Sequence, residues 1–192
     1  IGIWSNYDGT ILPTVGDATK SPDYTTNFKT AYIANKKFVN RETTNWGGAT
    51  PYYWPTNGSL VFAGYSIPAG GEVNSSATYD FATDVMTITD YVQDLSTAKT
   101  FDLLWFGRTA DSYNYRNATT AVPVTFNHAL SWITIQVKGE GTAIADGNAW
   151  AVKSVKLLDV LTKGTATLTG TTASWALSAD KGDMSVFSGT QS

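Results

Sequence analysis

Short apolar segments that alternate at every second residue, each closed by turn residues, recur along the whole 192-residue chain. A two-residue period places one set of side chains on one face of a strand and the other set on the opposite face. No stretch carries a sustained 3.6-residue apolar stripe, so packed helices have no sequence to build them. "SLVFAGYS" (Ser59 to Ser66) is apolar on both faces, with Leu60 and Phe62 on one side and Val61 and Ala63 on the other. That pattern predicts a central strand. "FDLLWFGRT" (Phe101 to Thr109) reads the same way. "ATYDFATDVMTITDYV" predicts strand material broken near Thr83 and Asp84, and "FKTAYIANKKFV" predicts a strand pair around Asn35. "WAVKSVKLLDV" is a further strand, and "KGTATLTGTTASWALS" is a hairpin with Gly170 near its turn. Strands spaced about 8–12 residues apart point to an all-β sandwich or barrel.

The stretch "VPVTFNHALSWITIQVKG" (Val122 to Gly139) holds the chain's one histidine. Val122, Val124 and Phe126 alternate at even positions, while Ile133, Ile135 and Val137 alternate at odd ones. The phase therefore flips across "NHALSW", which requires a bulge, a turn or a short helical step. The best helical candidate in the chain is a turn at Asn127 to Ser131. His128 is flanked by the apolar residues Phe126, Leu130 and Trp132. It reads as a partly buried imidazole bonding backbone freed by the flip, so His128→Ala should lower stability and abolish no activity.

Composition narrows the function classes. Charged residues make up 15 %, against a usual quarter or so. Thr is the commonest residue, which favours strands. The net charge is −3, and the three arginines (Arg41, Arg108, Arg116) form no basic face, which argues against a nucleic-acid binder. The absence of cysteine excludes disulfides, thiolate catalysis and Cys-ligated metals. No apolar run approaches the roughly 20 residues of a membrane-spanning helix. The chain opens mid-pattern at "IGIWSNYDGT", which reads as a trimmed N-terminus.

Chemistry-bearing constellations are sparse. One His makes no cluster, and no Gly-x-Ser-x-Gly elbow is present. Asp80 with Asp84, Asp90 with Asp94, and Asp180 with Asp183 are paired carboxylates. They fall at turns, where Asp bonds its own backbone, so a glycosidase pair is the weaker reading. No calcium or phosphate loop occurs, and no metal or cofactor is expected. Asn57, Asn74 and Asn117 head glycosylation sequons, which a Ser/Thr-rich chain meets often by chance and which would mean little in a bacterial protein. Aromatics carry more weight. Trp46, Tyr52, Tyr53 and Trp54 cluster in one segment, and Tyr113 and Tyr115 sit in a polar loop. Trp54 and Tyr52 read as capping the core. Trp46, Tyr53, Tyr113 and Tyr115 are candidate sugar-stacking platforms.

Two stretches together resemble a known family. "YYWPTNGSLVFAGYSIP" is similar to a signature of fimbrillin-like proteins, the fimbrial subunits and surface adhesins of Gram-negative anaerobes of gut and mouth. "FDLLWFGRT" followed by "VPVTFNHALSWITIQVKG" resembles that family's core. The likeness runs in order from about Ile1 to Trp175. Trp54, Pro55, Phe62, Phe126, His128 and Leu130 fall on signature positions of structural character, while Trp132 departs from the small or basic residue expected there. The resemblance implies a transthyretin-like, Greek-key β-sandwich of about seven core strands with short helical turns. It implies an N-terminal domain over 1–177, with 178–192 a linker or tail towards a second domain. It also implies a non-enzymatic fimbrial subunit or adhesin, exported as a lipoprotein to the outer membrane and the fimbrium. Assembly with other subunits would proceed by β-strand complementation, and host or bacterial surface glycans or proteins are further partners. The alternative is a carbohydrate-binding module using loop aromatics.

Overall fold

The computed structural model describes residues 1–8, 28–42, 45–55, 58–67, 76–93, 95, 102–109, 121–138 and 152–191. Twelve strands and no helix occur among them. A six-stranded sheet has the order β3-β2-β1-β4-β7-β8, built from β1 (Gly2–Asp8), β2 (Thr30–Glu42), β3 (Asn45–Gly48), β4 (Ser59–Ser66), β7 (Leu104–Phe106) and β8 (Asn127–His128). A four-stranded sheet has the order β11-β10-β6-β5, built from β5 (Ala77–Asp80), β6 (Val85–Val92), β10 (Lys163–Thr169) and β11 (Thr172–Leu177). β9 (Val152–Leu161) and β12 (Lys181–Gln191) form a two-stranded ribbon. Every pairing is antiparallel.

The main core lies between the two larger sheets. Trp4, Val61, Ala63, Tyr65 and Trp105 come from one sheet, and Met86, Ile88, Tyr91, Ala166 and Leu168 from the other. Burying each large side chain contributes about 1.5–3 kcal/mol. This is the expected β-sandwich. Setting aside the short edge strands β3, β5 and β8 leaves seven strands in the facing sheets. At one border the Trp175 Nε1–H donates to the Ala129 carbonyl at 2.9 Å, tying the sheets together.

β4 is apolar on both faces because both are covered. Val61, Ala63 and Tyr65 enter the main core, while Phe62 packs into a second cluster with Ile3, Ile33 and Phe106 on the outer face. Its central position was read correctly from the double-sided pattern. The β5–β6 hairpin breaks at residues 81–84, as expected. Gly170 adopts φ +60° at the β10–β11 turn, a conformation that Gly reaches without a Cβ penalty.

Local expectations fail in several places. Phe28 to Val39 is not a strand pair around Asn35. β2 runs through it, and Asn35 sits at φ +43° in a bulge where the register with β1 shifts. Asn tolerates that conformation, and its Oδ1 accepts the Tyr65 hydroxyl at 3.0 Å. No helical turn forms at Asn127 to Ser131: Asn127–His128 pair with β7 as β8, and the chain bends at Leu130. Residues 122–126 and 133–137, which alternate like strands, join no ladder among the described residues. Residues 181–191, expected within an irregular tail, form β12 on β9. Bulges in both strands of that ribbon break its two-residue period, which hid β12 from a periodicity reading.

Candidate assembly surface

β9 leads into β10 through Thr162, and β11 leads into β12 through residues 178–180. The two pairs are therefore one long hairpin around Gly170. Its turn half lies in the sandwich, where β10 pairs with β6. Its far half, β9 with β12, continues beyond the end of β6. The last β6 contact is the Gln93 N–H donating to the Thr162 carbonyl at 2.8 Å. Leu95, two residues on, places its Cδ1 over Gly182 on the ribbon. The position in line with β6 and alongside β9 is thus occupied by no strand among the described residues. Ten residues of β9 give an edge about 33 Å long.

Val155 lies opposite Phe187, and Leu157 lies opposite Met184, so these four side chains share one face and are half-buried. The exposed Lys153 falls on that face too by the two-residue period, and Leu158, Leu161 and Val186 are also exposed on the ribbon. A two-stranded ribbon is marginal alone in water, and its unpaired backbone groups are templates for another strand.

The acidic residues settle into turns and bulges. Asp80 accepts the Ala82 N–H at 2.9 Å and the Thr83 hydroxyl at 2.7 Å. These bonds, the Thr83 hydroxyl first, hold its carboxyl below the usual carboxylate range. Asp84 accepts the Tyr79 hydroxyl and, at 2.8 Å, the Arg108 backbone N–H. The Arg108 guanidinium donates to the Phe81 carbonyl. A cleft of about 240 Å³ beside these groups is lined by Asp84, Arg108, Thr109 and Thr125 among others. Its charged residues hold the β5–β6 turn against the end of β7, which is structural work. Asp90 and Asp159 take positive φ at bulges, and Asp90 pairs with Lys163 at 3.0 Å. No group of three His, Asp or Glu side chains suited to a metal occurs among the described residues. Asp94 lies outside the described residues.

His128 is not partly buried. Its side chain is 75 % exposed, and Nδ1 meets the Asp102 carboxylate. The other Asp102 oxygen accepts the Leu130 N–H at 3.2 Å. The backbone freed by the phase flip is thus capped by Asp102, a residue the sequence reading passed over, and not by the imidazole. An Asp facing a His across an edge strand leaves no local sequence signal. Phe126 stacks edge-on against Phe106, and Leu130 packs on the main core. Trp54 and Pro55 are half-buried. Trp54 meets Phe62 edge-on over the outer face of the sheet, so it covers the second cluster and not the inter-sheet core. Tyr52 stacks on Phe38 above the same face. Trp46 on β3 is 55 % exposed and Tyr53 is 75 % exposed, its carbonyl accepting the Tyr32 hydroxyl. Tyr113 and Tyr115 lie outside the described residues.

Two further observations bear on identity. A family model described as fimbrillin-like matches residues 14–191, so the chain belongs to the fimbrillin-like family. No curated protein and no solved structure matches it. The matched span reaches through β12, the strand that the resemblance read from sequence left outside.

Proposed function

From that membership, we propose that the chain is a structural or adhesive subunit of a cell-surface fimbria, joined to its neighbours by β-strand complementation. The family is one of structural fimbrial subunits that assemble with one another at the cell surface. The observation that carries the finer reading is the open edge of β9 beside an apolar ribbon face. A strand added there satisfies the outward backbone N–H and C=O groups, and its alternate side chains cover Val155, Leu157, Met184 and Phe187. Catalysis has no part in this reading. The precursor reaches the outer membrane as a lipoprotein, and loops turned away from the subunit contacts meet host or bacterial surfaces.

Full-length, protease-processed protein should form head-to-tail polymers visible by negative-stain electron microscopy. Protein that stays monomeric after processing would remove the assembly claim. A second reading, glycan binding, is favoured by the exposure of Trp46 and Tyr53, because exposed aromatic faces stack on sugar rings. A glycan array in which binding is lost with Trp46→Ala and Tyr53→Ala would support it, and an array without specific binding would end it.

A further inference from the structure

The cleft of about 240 Å³ draws on both large sheets. The six-stranded sheet supplies the end of β7, the residues that follow it, and residues 123–125 ahead of β8. The four-stranded sheet supplies the turns of its two hairpins, through Asp84 and Gly170. Thr169 lies opposite Val85, which sets those turns side by side. Gly107 faces the Asp84 carboxylate. A Cβ there would lie 2.8 Å from Oδ1 and 3.3 Å from Oδ2, so the missing side chain keeps the approach to the carboxylate clear. A Cβ at Gly170 would meet nothing within 4 Å, so the space over the second turn is open too.

The bonds that hold the β5–β6 turn also fix the polar atoms of the cleft. Both donors to Asp84 among the described residues, the Tyr79 hydroxyl and the Arg108 backbone N–H, go to Oδ1. Oδ2 remains as an acceptor. The Arg108 guanidinium, a fork of N–H donors, is anchored on the Phe81 carbonyl. The Thr109 hydroxyl accepts the Phe62 N–H at 3.0 Å, so its own proton is left to donate. Thr125 adds an exposed hydroxyl, and Pro123 and Val124 form a short apolar wall. Asp84 opposes an anion and Arg108 opposes a cation, so the chemistry fits a neutral ligand that both donates and accepts. Sites for drug-sized ligands run to roughly 300–1,000 Å³, and this smaller cleft suits a single ring.

We infer that the cleft binds one ring of a neutral sugar. Its hydroxyls meet Asp84 Oδ2, the Arg108 guanidinium and the two threonines, and its C–H face lies towards Pro123 and Val124. The site shares no residue with β9 or with Trp46 and Tyr53, so its failure leaves the assembly reading and the aromatic platform as they stand.

Saturation-transfer NMR on the full chain tests this with glucose, galactose, mannose, N-acetylglucosamine and fucose, each beside its methyl glycoside. Glycine, as a zwitterion, and inorganic phosphate are the comparison probes. The expected result is transfer to at least one sugar and to neither comparison probe. Transfer kept by the methyl glycoside identifies the terminal residue of a glycan, and transfer confined to the reducing sugar identifies the free monosaccharide. Asp84→Asn keeps an oxygen for the two donors on Oδ1 and tolerates the φ of +57°, but it replaces the Oδ2 acceptor with a donor. It should weaken binding about tenfold, and Thr125→Val about threefold, as lost hydrogen bonds to a charged and a neutral group do. Near-ultraviolet circular dichroism checks that each variant is folded. No transfer to any sugar would overturn the inference, as would binding of glycine or phosphate in a sugar's place. Unchanged affinity in folded Asp84→Asn would overturn it by putting the sugar elsewhere. Were that variant unfolded, Thr125→Val decides, with unchanged affinity again overturning the site.

Discussion

Asp102 bridges the two residues flanking Ala129. One oxygen meets the exposed His128 ring, and the other accepts the half-buried Leu130 N–H. The two partners therefore carry unequal weight. An exposed polar side-chain contact contributes at most about 1 kcal/mol, so His128→Ala should shift the urea-unfolding midpoint only slightly. Asp102→Ala leaves the Leu130 N–H without this acceptor and should cost about 1–3 kcal/mol, read in the same titration. Equal losses from the two variants would contradict this account. Gly64 makes a second residue-scale case. A Cβ there would lie 2.7 Å from the Phe106 ring and 2.8 Å from the Gly2 carbonyl oxygen. The backbone neighbour cannot swing aside, so Gly64→Ala should lower stability by about 1–3 kcal/mol, as overpacking does, seen as a drop in Tm. At this scale the sequence was legible where a residue's role is local. Asp80 in its turn and Gly170 at its hairpin both follow from short-range chemistry. Asp102 was not legible, because its partners come from the far side of a strand pair 26 and 28 residues away.

Among the elements, those with clear alternation or a nearby turn signal were read correctly. β4, β5–β6 and β10–β11 fall where the two-residue period and the turn residues place them, and β9 falls where a strand was expected. Bulges misled the reading of β2 and of β12. Asn35 in β2 sits at positive φ where the ladder register shifts, and β12 carries extra residues opposite β9. Each bulge reverses the phase of the residues beyond it, so a continuous strand looks like two, or like none. The link between the sheets at the β8–β11 border was likewise invisible from sequence, because it is one side chain reaching across. The Trp175 Nε1–H on β11 donates to the Ala129 carbonyl just after β8. Trp175→Phe keeps most of the ring packing and removes the donor. It should cost about 0.5–1.5 kcal/mol, measured by chemical denaturation. No loss of stability would mean that packing alone joins the sheets at that border.

For the whole molecule, two buried phenols set a pH limit. Burial pushes the Tyr91 hydroxyl from 10.0 up to about 12, with the Asp102 charge adding to it. Burial, with the hydrogen bond to Asp84, raises that of Tyr79 as well. A folded-state pKa raised above the unfolded value means that the folded chain holds its proton longer. The associated stability is complete below pH 10 and is lost as pH climbs towards 12 and beyond. Tm should therefore fall steadily above pH 10, with tyrosinate absorbance from these residues appearing only on unfolding. Tyr91→Phe should make that decline shallower.

The all-β sandwich itself was legible from the chain as a whole, because many short alternating segments with almost no helical pattern leave few other solutions. The ribbon that projects from it was not, and it is the feature on which the assembly reading depends. Hydrogen exchange across β9, residues 152–161, compared between the single subunit and the assembled fimbria, tests that reading most directly. The account predicts fast exchange at the outward amides of β9 in the subunit and strong protection after assembly. Equal protection in both states would contradict it, because the β9 edge would then take no strand from a neighbour.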